Sequence, residues 1–167
     1  MSDDLKYRFD EMITTINLLP DDPDDVAEGS MVFPNLTRDV HEPELYTALL
    51  CQAMKGDEDF KVKMCATLTN SAMTNITQND SATEDDIYAL AISANIMWAE
   101  GAGTVLLHNL GILGAVCNKY ELELPSLALI LLRPNEGAKR FAKLDPYLIL
   151  KGEYEAEDII RLAADKE

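Results

Sequence analysis

The spacing of apolar residues between positions 84 and 132 constrains this chain more than any other feature. Ile87, Leu90, Ala91, Ala94, Met97 and Trp98 recur at intervals of 3 and 4, the repeat of one helix face and not of a strand. Thr83-Glu-Asp-Asp86 precedes them, a hydroxyl cap followed by carboxylates in the first turn. After Gly101-Ala-Gly103 comes a second run, Thr104 to Tyr120, in which Leu106, Leu107, Leu110, Leu113, Val116, Cys117 and Tyr120 cover most of a helix circumference. That breadth predicts the central helix of the core. Gly111 and Gly114 within it each cost about 1 kcal/mol relative to alanine, which predicts close approach of a neighbouring helix. Glu121 to Glu123 interrupts, and Pro125 to Leu132 reads as a short buried helix with proline in its first turn. Residues 84–132 are therefore expected to form a core helical hairpin plus a short helix.

Within that unit, Trp98-Ala-Glu-Gly101-Ala-Gly103, the leucine-rich helix after it and Leu127-Ala-Leu-Ile-Leu-Leu132 resemble the C-terminal helices of an actinobacterial domain family of unknown function. The same stretch is similar to a single tetratricopeptide-type helix pair, although arrays of that kind need about three copies to bury a continuous core and there is one here. The resemblance implies helical packing and an actinobacterial or phage source. It implies no activity.

The remaining segments extend the helical pattern. Leu5, Phe9, Met12, Ile13 and Ile16 predict an amphipathic helix over 3–18, stopped at Leu19-Pro20. Residues 19–43 hold Pro20-Asp-Asp-Pro-Asp-Asp25, Gly29 and Pro34 and are expected to be an exposed, acidic, irregular loop, with room for one short strand at 31–33. A second helix is expected over 44–55 with Gly56 as its stop. A third should start after Asp57-Glu-Asp59 and carry Val62, Cys65, Leu68, Ala72 and Ile76. Lys61 to Thr69 partly alternates and is rich in threonine, so a strand competes there; the helix is favoured. Thr77 to Thr83 reads as a loop, 135–143 as a short basic helix broken at Asp145-Pro146, and Glu153 to Lys166, within an acidic 152–167, as a last helix. The fold class is all-α: a compact single-domain helical bundle of about six helices spanning 1–167.

Charge narrows the partners. The chain has 30 acidic and 14 basic side chains, a formal net charge of −16. A surface of that sign disfavours nucleic acid and anionic lipid, because neutralising phosphates needs Lys and Arg. Another protein is the expected partner, with no direct nucleic-acid binding and no membrane. The balance is uneven: residues 133–151 contain five basic side chains and two acidic ones, so that stretch carries +3 and the rest −19. The acidic, amphipathic start does not resemble a secretory signal. A cytoplasmic location is expected, the host cytoplasm if the chain is viral. Cys51, Cys65 and Cys117 are odd in number and lie among apolar neighbours, as buried free thiols would.

Catalytic chemistry has little to draw on. His41 lies in Asp39-Val-His41-Glu42 with no second histidine at ligand spacing, so a surface histidine is expected and not a metal site. Asp21, Asp22, Asp24 and Asp25 are crowded like a calcium loop, but Pro23 and Val26 occupy positions that need a ligand and a glycine. His108 and Asn109 form a polar pair on an apolar helix and, with Trp98, mark where a pocket would lie. No phosphate-binding glycine loop, nucleophile elbow or adjacent Cys/His pair occurs, and no cofactor is expected. The sequence thus predicts a non-catalytic, acidic protein-binding module, an adaptor or inhibitor. Lys139, Arg140 and Lys143 on the basic island and Asp21, Asp22, Asp24 and Asp25 on the acidic loop are its candidate contacts. The alternatives are a DNA-mimic inhibitor of a DNA-binding protein and a small-ligand binder or enzyme with a pocket near His108.

Overall fold

A computed structural model describes residues 2–19, 40–99, 103–122, 143–155, 157–158 and 161, the side chains of 2, 3, 43, 97–99 and 103–110 excepted. Among these residues the chain forms six helices and no strand: α1 Ser2–Leu18, α2 Pro43–Lys55, α3 Glu58–Asn79, α4 Glu84–Ala99, α5 Gly103–Tyr120 and α6 Pro146–Leu150. None is long and apolar enough to cross a membrane.

Each helix is bounded by chemistry visible in its flanks. The Asp57 carboxylate accepts the Phe60 N–H at 2.9 Å and starts α3. Asp80, in the left-handed region at φ 47°, ends it. At the start of α4 a reciprocal capping box forms: the Thr83 hydroxyl accepts the Asp86 N–H at 3.4 Å, and the Asp86 carboxylate accepts the Thr83 N–H at 3.0 Å. Asp145 accepts the Tyr147 N–H at 2.9 Å to open α6, with Pro146 in its first turn. Gly152 at φ 78° turns the chain after it, a conformation that disfavours any side chain.

The core has two inner helices. On α2, every residue from Leu45 to Cys51 is buried. On α4, Asp86, Ile87 and all of Ala89 to Ile96 are buried. The single stripe expected for α4 is therefore too narrow, because Ala89, Ile92, Ser93, Asn95 and Ile96 also face protein. Around this pair, α3 lies along α4, α5 covers another side of α4, and α1 and α6 pack on α2. Phe9, Met12 and Ile16 form the buried face of α1, as their spacing predicts.

The helix favoured over 61–76 is the one that forms, and three other expectations change. The 61–76 segment is helix and not strand: Phe60, Met64, Cys65, Leu68, Ala72 and Ile76 are buried at helical intervals, and the helix runs through Thr77 to Asn79 before the loop begins. In its second half α5 is a covering helix and not the central one. Leu113, Val116 and Cys117 are buried, whereas Gly111, Gly114, Ala115, Asn118 and Lys119 are exposed. Among the described residues, a methyl group at Gly111 or Gly114 would meet nothing within 4 Å beyond its own helix backbone. No described helix approaches them that closely. Close approach does occur at Gly56, where a β-carbon would lie 2.6 Å from the Phe60 ring. Finally, Glu153 to Glu155 are not helical, so helical structure near the C-terminus begins later than Glu153. The expected strand at 31–33, the short helix at 125–132 and most of the basic helix at 135–143 lie outside the described residues.

Candidate functional site

Chain order and the short 80–83 link make α3 and α4 antiparallel, and two contacts fix their register. Ser93 Oγ donates to the Cys65 carbonyl at 3.2 Å near one end. Asn75 Nδ2 donates to Asp86 Oδ1 at 3.5 Å near the other. The C-terminus of α5 reaches the same end as Asp86: Tyr120 OH donates to Asp80 Oδ1 at 3.4 Å, and Lys119 Nζ lies 3.8 Å from that oxygen. The start of α2 reaches it too, through His41. Its backbone N–H and its Nδ1–H both donate to Asp85 Oδ1, at 3.1 and 2.5 Å. One end of the bundle therefore gathers Glu42, Glu44, Asp80, Glu84, Asp85 and Glu121, all exposed or half-exposed, around His41 and Lys119.

The three carboxylates in the first turn of α4 have different surroundings. Glu84 is exposed. Asp85 holds His41. Asp86 is buried, and burial pushes its carboxyl up from the ordinary value against the hydrogen bonds from Thr83 and Asn75 that lower it. The His41 imidazole is shifted up, first by its hydrogen bond to Asp85; burial opposes this, and the charges of Asp85, Glu42 and Glu84 add to it. Its Nε2 faces Glu42 Oε1 at 3.7 Å.

Beside this end a groove of about 360 Å³ runs between α3 and α5. Met73, Ile76 and Val116 line it, and Asp80, Lys119 and Tyr120 stand at its polar end. No protein-family model, no curated protein and no solved structure matches this chain. The residues themselves have to carry any functional reading. Among the described residues, no group of three or more His, Cys, Asp or Glu side chains could hold a metal ion. Cys51, Cys65 and Cys117 are buried thiols. Cys51 donates to the Leu144 carbonyl at 3.0 Å, and burial pushes its thiol up to about 11, far from thiolate chemistry at neutral pH.

The candidate residues named from sequence fare unevenly. Lys143 is exposed, just ahead of α6. Lys139, Arg140, Asp21, Asp22, Asp24 and Asp25 lie outside the described residues. Trp98 falls in the last turn of α4, and His108 and Asn109 in the first half of α5; their side chains lie outside the description, so the pocket expected there is not addressed. What sequence reasoning missed is the acidic end. Its pairing of His41 with Asp85 spans 44 positions, a separation that no local pattern encodes. The signal available was the acidic residues at the starts of α2 and α4.

Proposed function

We propose that this protein is a non-catalytic binding module that meets a basic protein surface with the carboxylate end of its bundle. The observation that carries the reading is the convergence of Glu42, Glu44, Asp80, Glu84, Asp85 and Glu121, drawn from the first turns of α2 and α4 and from the residues that flank α2, α3 and α5, onto one end of the helical core. A one-signed surface fixed on helix termini steers and selects an oppositely charged partner more than it adds affinity. The formal charge of −16 supports the same choice of partner. The high thiol value at Cys51 and the paired role of His41 leave neither in the form a nucleophile or an unhindered base would need.

The test is affinity capture from a source lysate at low salt, comparing the wild type with Glu44→Lys/Glu84→Lys/Glu121→Lys. These three side chains are at least partly exposed and none belongs to the capping box. The wild type should retain a basic protein that elutes with rising salt, and the triple variant, with unchanged helicity, should lose it. Recovery of the same protein by both, or of none by the wild type, refutes the proposal.

A further inference from the structure

At the acidic end a single imidazole is shared among carboxylates. Asp85 takes Nδ1–H, Glu42 faces Nε2, and Glu84 acts through its charge. A neutral imidazole has one N–H and one lone pair, so with Nδ1–H committed to Asp85 its lone pair confronts the Glu42 carboxylate. The imidazolium has two N–H groups: one bonds Asp85, and the other turns the 3.7 Å approach of Glu42 from a repulsion into an ion pair. We infer that His41 is a proton-operated clasp: protonated, it binds the residues leading into α2 to the first turn of α4, and on losing its proton it expels Glu42 and loosens that corner.

Glu42 has somewhere to go. It is the N-cap residue of α2, yet its side chain makes no capping hydrogen bond there. The N-terminus of α2 offers the positive end of the helix dipole, which attracts a carboxylate. Glu42 thus has two stations, one beside the imidazolium and one on its own helix, and the proton on His41 decides between them. Among the described residues, the charged groups that act on the ring are Asp85 and Glu84 from α4 and Glu42 from its own segment, all carboxylates. They hold the proton to higher pH than an ordinary histidine near 6.5. A folded value above the unfolded one means that the stabilisation is complete below the unfolded value and is lost as pH rises through the folded one. Release therefore falls on the alkaline side of an ordinary histidine's titration. The clasp does not depend on the binding role proposed above.

The experiment uses the intact chain. The ring resonances of His41 are followed by NMR from pH 5 to 9, roughly the range in which a histidine changes charge, and amide exchange, corrected for intrinsic rates, is followed at Tyr46 and Ile87. Those amides bond Glu42 O at 2.9 Å and Thr83 O at 3.2 Å, in the two turns the clasp joins. His41 should titrate above its ordinary value and return toward it in Asp85→Asn. Corrected exchange at both amides should quicken about two- to threefold as His41 deprotonates, the size of a partly exposed ion pair. That step should vanish in His41→Gln, whose amide keeps a hydrogen bond to Asp85, and shrink in Glu42→Gln, where no charge is expelled. A His41 titration at or below the ordinary value, or the same step in His41→Gln as in the wild type, overturns the proposal.

Discussion

Replacing Gly56 with alanine sets two opposing terms against each other, and the structure says which wins. Gly56 closes α2 at φ −78°, ψ 166°, a conformation alanine adopts without strain. On backbone grounds the substitution should stabilise by about 0.4–1 kcal/mol, because the unfolded chain loses freedom. The new β-carbon, however, would lie 2.6 Å from Phe60 Cδ2 and 3.1 Å from Cγ. The ring cannot retreat cheaply, since Phe60 is 9% exposed and its own N–H is held by Asp57. Overpacking of this kind costs about 1–3 kcal/mol. The net expectation for Gly56→Ala is a loss of about 1 kcal/mol, which lowers the melting temperature by roughly 2–4 °C in a chain of this size. Urea denaturation of the single variants and of Gly56→Ala/Phe60→Ala isolates the contact as a double-mutant cycle. With the ring gone the substitution should become neutral or stabilising by about 0.5 kcal/mol. A Gly56→Ala protein more stable than the wild type, or an equal loss when Phe60 is alanine, would refute the reasoning.

Other substitutions probe the remaining elements. Gly111→Ala and Gly114→Ala, at exposed helical sites with open space beside them, should each raise stability by about 0.5–1 kcal/mol in thermal melts; a loss at either would reveal a neighbour. Thr83→Ala removes the cap of α4 and should cost about 1 kcal/mol in urea titrations. Asp86 carries a raised value from burial, so its ionised form weighs against folding at neutral pH, and that penalty lifts as pH falls through the raised value. Asp86→Asn should therefore compare best with the wild type at neutral pH and lose ground as the medium is acidified; a difference independent of pH would contradict this. Cys51 should react with a disulfide reagent at neutral pH far more slowly in the folded protein than in urea, as its burial and its value of about 11 require.

The all-α class and the first five helices were legible because they depend on local chemistry, whereas α6 was not, since Pro146 to Leu150 reads as an apolar stretch after a break. The stripe of Phe9, Met12 and Ile16, the glycine after Lys55 and the Thr83 to Asp86 start are read within a few residues of sequence, and the structure keeps them. Which helix sits at the centre was not legible. The leucines of α5 suggest an all-round apolar surface, while α4, with Ser93, Asn95 and several alanines, looks half polar. Yet α4 is the buried one. Part of its polar surface is answered by neighbours far along the chain: Asn95 Nδ2 donates to Tyr46 OH at 3.2 Å and Ser93 Oγ accepts from Thr69 at 3.1 Å, while Asn95 Oδ1 has no hydrogen-bond partner among the described residues. Small residues there allow close packing, which a hydrophobicity pattern cannot register. The acidic end was hidden for a related reason. Runs of carboxylates at helix starts look like dipole partners one helix at a time, and only the antiparallel register of α3 and α4 collects them.

The contact between the two ends of the chain bears on how this protein is made. Tyr147 of α6 sets its ring edge-on to Phe9 at 5.6 Å and gives its hydroxyl to Asp10 at 2.9 Å, across 137 positions. Ile149 and Leu150 are buried beside α2 in the same element. During synthesis the helices from α1 to α5 can pair with one another as they emerge, whereas the side of α2 that α6 covers waits for α6. Until α6 emerges, the nascent chain thus displays an unfinished apolar face on α2. The long-range closure that covers that face is the step that should limit the folding rate.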